Sequence, residues 1–117
     1  MAPKFATKPP SDPAENGTFS KSGHNGPPYT FTWQNKHGLH GNVSATNWVI
    51  WIGQNSGGGE KYKTPNPIPD TGAAVISDPS VTDAALPIDS SLWVTPKYQK
   101  ADSSWNDGTP TKFNVVA

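Results

Sequence analysis

Cysteine and arginine are both missing from this chain of 117 residues. Without cysteine there is no disulfide framework and no thiolate metal site, and the redox compartment stays open. Without arginine, all nine basic residues are lysines, balanced by nine acidic residues to a formal net charge of zero. Guanidinium forks are the preferred devices for phosphates and base edges, and the lysines form no stripe on any one segment, so nucleic acid is not expected as a partner. No apolar run approaches the roughly 20 residues needed to cross a bilayer, and the Met1-Ala2-Pro3-Lys4 opening has no signal-peptide core. Neither membrane insertion nor a visible export signal is therefore expected. Uninterrupted helical windows are scarce too, because thirteen prolines and eleven glycines punctuate the chain. The best window, residues 80–86, is short and carries the β-branched Val81 and Thr82.

What the chain does have is four short aromatic-rich runs. Tyr29-Thr30-Phe31-Thr32-Trp33, Trp48-Val49-Ile50-Trp51-Ile52, Leu92-Trp93-Val94-Thr95 and Lys112-Phe113-Asn114-Val115-Val116 hold most of the large apolar surface. Each is bounded by turn formers, which predicts strands. Further strands are expected at 18–20 and 60–64, with weaker candidates at 73–77 and 81–86. Pro65, Pro67 and Pro69 are expected to prevent regular pairing between them, and Gly57-Gly58-Gly59 to form a flexible turn. With 32% hydrophobic residues the core must be thin, with five Trp, four Phe and three Tyr supplying much of its volume.

The chain has room for one domain. Residues 1–16, with Pro3, Pro9, Pro10 and Pro13, read as an extended proline-rich arm whose one large apolar group is Phe5, and residues 17–117 as a single β-sandwich. Such an arm is expected to be mobile in an isolated monomer and to become ordered along a partner.

From Phe31-Thr32-Trp33 through Trp48-Val49-Ile50-Trp51-Ile52, Leu86, Leu92-Trp93-Val94, Trp105 and Phe113-Asn114-Val115, the order of motifs resembles a fibronectin type III-like or immunoglobulin-like domain. The resemblance covers residues 17–117 and is one of pattern. It implies an all-β, two-sheet Greek-key β-sandwich with Trp33 in the core and Phe113 and Val115 on the last strand.

Catalytic and cofactor signatures are weak. His37 and His40, with His24 from an earlier turn, are the only group with metal-ligand residue types, and they read as polar loop histidines. The acidic residues are scattered singly beside turn formers, and calcium at Asp102, Asn106 and Asp107 would lack an ordered ligand loop. No serine sits in a Gly-x-Ser-x-Gly elbow. No enzyme activity, cofactor or metal is expected.

Strand alternation supplies the remaining signal. If Trp48, Ile50 and Ile52 face the core, Trp51 faces outward; if Leu92, Val94 and Tyr98 face in, Trp93 faces out. Trp51 and Trp93, with Tyr62 on the adjoining edge strand, are expected to form an exposed aromatic patch, unless the parity is reversed or residues 65–72 cover it. Phe5, Trp51, Trp93 and Tyr62 are thus the candidate binding residues. The favoured expectation is a non-enzymatic structural or adhesion module that decorates a virus-like or phage particle, docking on capsid or other virion subunits, or on neighbouring copies, through its arm and aromatic face, at a virion surface or outside the cell. The alternative is a carbohydrate-binding module whose glycan stacks on the same aromatic side chains.

Overall fold

The computed structural model describes residues 3, 5–7, 10–35 and 43–117. Among them the fold is all-β, with one 3-10 turn, Asp83–Ala85. The strands are β1 (Thr18–Ser20), β2 (Tyr29–Gln34), β3 (Asn47–Gly53), β4 (Tyr62–Lys63), β5 (Ile68–Pro69), β6 (Val75–Val81), β7 (Ser90–Gln99), β8 (Trp105–Asp107) and β9 (Thr111–Val116). They form two sheets, an architecture compatible with a β-sandwich. The larger has seven strands in the order β1-β9-β7-β3-β4, with β5 also on β3 and β8 also on β7; the smaller pairs β2 with β6.

Alternating residues explain the layers. Trp48, Ile50 and Ile52 of β3, Leu92 and Val94 of β7, and Phe113 and Val115 of β9 are all buried, at 0–1% exposure, and strand geometry puts each set on one face. Phe31 and Trp33 do the same for β2. The centre is a chain of aromatic rings: Trp33 lies 6.2 Å from Trp48, and Phe31 lies 5.0 Å from Phe19 and 5.5 Å from Phe113.

The N-terminal residues correct an expectation. Phe5 is completely buried, 5.7 Å from the Trp33 ring and 6.5 Å from Phe31. It fills this domain's own core rather than projecting toward a partner. Asp12 exchanges both backbone hydrogen bonds with Thr32 of β2, each 2.9 Å, and the Thr109 N–H donates to the Pro3 carbonyl at 2.8 Å. The described part of residues 3–16 is therefore laid along the small sheet and across the gap between the layers. The thin core accounts for this, since two strands in the smaller sheet leave apolar surface for an additional aromatic to cover.

Other differences are local. Residues 81–86, expected as a weak strand, instead leave β6 at Val81 and make the 3-10 turn, whose Ala85 and the following Leu86 are buried. The proline-rich stretch still pairs once, because β5 lies on an edge, where Pro69 opposite Asn47 is tolerated.

Candidate functional site

The outward face of the larger sheet is built by register. Trp51 on β3 lies opposite Lys63 of β4 and Thr95 of β7, and Val49 lies opposite Lys97, which lies opposite Asp107 of β8. Trp93 pairs with Gly53 on one side and Lys112 of β9 on the other. Trp51 and Trp93 are thus diagonal neighbours on the outer face, both half-buried.

Tyr62 departs from expectation. It pairs with Ile52, so it shares the inward face and is only 8% exposed. Its hydroxyl donates to Asp78, and burial first, then the neighbouring carboxylate, pushes its pKa well above the ordinary tyrosine range. It offers no ring to a ligand. A two-residue strand contains no alternation to read, so only the pairing with β3 decides which way Tyr62 points.

Trp51 is enclosed by lysines. The Lys63 ammonium sits 4.2 Å from its ring centroid and the Lys97 ammonium 3.9 Å, reaching over from the strands on either side of β3. Each contact is a cation–π interaction. Gly59 presses against the same ring, since a Cβ built there would lie 2.8 Å from Trp51 Cε3.

The aromatic that the sequence reading left out of the patch is Trp105. It lies on β8 opposite Gln99 and is 44% exposed. Val49, Trp51, Lys97, Trp105 and Asp107 line a groove of about 450 Å³, and within it the Lys97 ammonium meets the Asp107 carboxylate at 2.8 Å. Beside the groove the Asn47 amide donates to Gln99 Oε1 at 3.0 Å. The sequence signal for Trp105 was its isolation: a large aromatic among Ser104, Asn106 and Asp107, with no apolar neighbour to share a core.

His37 and His40 lie outside the described residues, while His24 contacts Asp12 and the Ser20 carbonyl. The Asp102 carboxylate accepts from the Ser104 hydroxyl and N–H, and these bonds lower its pKa. Asp107 is engaged with Lys97. No group of three or more His, Cys, Asp or Glu suited to a metal occurs among the described residues.

Comparison with protein-family models, with curated proteins and with solved structures finds no match.

Proposed function

We propose that this protein is a non-enzymatic recognition module of immunoglobulin-like Greek-key topology that binds carbohydrate in the Trp51–Trp105 groove. The topology reading is supported by the order β1-β9-β7-β3-β4 facing the β2-β6 pair. The observation that carries the binding reading is a 450 Å³ groove bounded by two indoles with an ion pair inside it. A pyranose presents an apolar face, which stacks on an exposed indole, and a rim of hydroxyls, which needs paired donors and acceptors. Trp105 supplies the face; Asp107 and Lys97 supply an acceptor and a donor.

This site differs from the platform expected from sequence. Tyr62 is replaced by Trp105, and Trp51 acts as a wall, because lysines already contact its ring. Titration of the protein with cellohexaose, chitohexaose, mannohexaose and hexagalacturonate, followed by Trp fluorescence, tests the reading. At least one should bind with a sub-millimolar Kd that Trp105→Ala weakens tenfold or more, which is about 1.4 kcal/mol. Binding that ignores the substitution, or no binding across the panel, overturns it.

A second reading, docking on a protein surface such as a virus-like particle, is favoured by the Trp51 contacts. A half-buried indole between two ammonium groups, with Trp93 beside it, is a pre-ordered surface of the kind protein interfaces use. The arm no longer supports that reading, since Phe5 is in its own core. Trp93→Ser separates the two, because it lies outside the groove yet within the aromatic face: lost attachment to a particle with intact sugar binding would favour the second reading.

A further inference from the structure

His24 joins the end of β1 to the N-terminal segment. Its Nδ1 lies 2.5 Å from the Ser20 carbonyl oxygen at the end of β1, and its Nε2 lies 2.5 Å from Asp12 Oδ2 in the N-terminal segment. Its ring is stacked on Phe19, centroids 3.9 Å apart and planes 17° apart, so the imidazole cannot turn away without leaving that contact. Both nitrogens therefore face acceptors. A neutral imidazole carries one N–H and can serve only one of them; the imidazolium serves both. The geometry is that of a protonated histidine.

We propose that His24 is a pH-operated latch, closed when protonated, that holds residues 10–13 against the edge of β2. Asp12 is the residue latched, and it is also the residue that pairs with Thr32. Thr32 reinforces the strap, its hydroxyl donating to the Pro10 carbonyl at 2.5 Å. When His24 loses its proton, a lone pair is left facing either the Ser20 oxygen or the Asp12 carboxylate. The Ser20 oxygen is fixed at the end of a strand, whereas the Asp12 side chain is 42% exposed and has water to turn into. The bond that breaks is the one to Asp12. Phe5 stays in the core while residues 10–13 loosen, uncovering backbone groups on the edge of β2.

The surrounding charges are otherwise engaged. Lys21 turns to Asp83 at 2.7 Å and to the Leu86 carbonyl, Tyr29 donates to Asp83, and the hydroxyls of Ser20 and Ser22 donate to the Ala117 oxygen. Asp12 is the carboxylate at hydrogen-bonding distance. Burial works to lower the His24 pKa, but the Ser20 carbonyl and the Asp12 carboxylate outweigh it, so the net displacement is upward from 6.5.

NMR titration of the full chain tests the latch. The His24 midpoint should lie above 6.5 and fall by about one pH unit in Asp12→Asn. Amide exchange at Asp12 and Thr32, corrected for its intrinsic pH dependence, should lose about tenfold protection as His24 titrates, while Val94 is unchanged. In His24→Gln, which has one donor and no titration, that protection should be low and independent of pH; if this variant does not fold, Asp12→Asn carries the test. A wild-type midpoint at or below 6.5, flat protection across the titration, or equal losses at Val94 overturns the proposal.

Discussion

Tyr62 on β4 and Asp78 on β6 belong to different sheets, and the Tyr62 hydroxyl donates to the Asp78 carboxylate at 2.9 and 3.1 Å. Asp78 is 1% exposed and also accepts from the Thr64 hydroxyl at 2.7 Å and the Ser80 N–H at 2.9 Å. One buried carboxylate thus gathers donors from both layers. Tyr62→Phe removes one of them and should cost about 1–3 kcal/mol in urea unfolding. Asp78→Ala should cost more, since it leaves the remaining donors without their acceptor. Equal stabilities would mean that the network contributes nothing net.

Trp33 is fully buried between Phe5 and Trp48. Trp33→Ala should destabilise by about 3–5 kcal/mol, the usual cost of emptying a large aromatic site. In a domain this size that approaches the whole folding free energy, so the variant is expected to be largely unfolded by circular dichroism.

Removal of residues 1–16 should lower the melting temperature, because the deletion takes Phe5 out of the core and the Asp12 pairing off β2. Phe5→Ala should reproduce most of the loss, again about 3–5 kcal/mol. A truncated protein that melts with the full chain would show that the segment adds nothing to the core.

On the outer face, Trp105 and Trp51 should separate. Trp105→Ser removes a side chain that is 44% exposed and should change stability by less than about 0.5 kcal/mol. Trp51→Ser forfeits two cation–π contacts and should cost about 1–2 kcal/mol. Gly59→Ala should disturb the same ring from the other direction, costing about 1–3 kcal/mol by overpacking. Chemical unfolding of the three variants checks the order.

Stability should also depend on pH through His24. Its pKa is raised in the folded protein, so its contribution is fully present below the unfolded value of about 6.5 and is lost as pH rises through the folded value. The urea midpoint should fall between pH 6 and pH 9 in the wild type, and the part of that fall due to His24 should vanish in His24→Gln.

Much of the strand map was legible because alternation is a strong signal where a strand is long. Trp48, Ile50 and Ile52 declare one face of β3, and Leu92, Val94 and Tyr98 one face of β7, from spacing alone. Tyr62 was not legible, because its direction depends on the register with Ile52, a non-local fact. Phe5 was hidden for a related reason: proline-rich composition describes local stiffness, whereas its burial answers a gap left by a two-stranded layer. Trp105 fell outside every expected strand because β8 has only three residues, and its value lies in standing across a groove from Trp51. The signals that failed were those in which a distant partner, not the local pattern, sets the outcome.

The pairing of β1 with β9 gives the domain a direction of mechanical strength. The two strands run parallel, with Thr18 beside Asn114, Phe19 beside Val115 and Ser20 beside Val116. They are also the first and last strands among the described residues. Tension applied at Thr18 and at Val116 therefore drags β1 and β9 past each other lengthwise, and the hydrogen bonds between them share the load together instead of opening one after another. A pull along these two strands meets the ladder in shear, the geometry in which a short ladder resists longest.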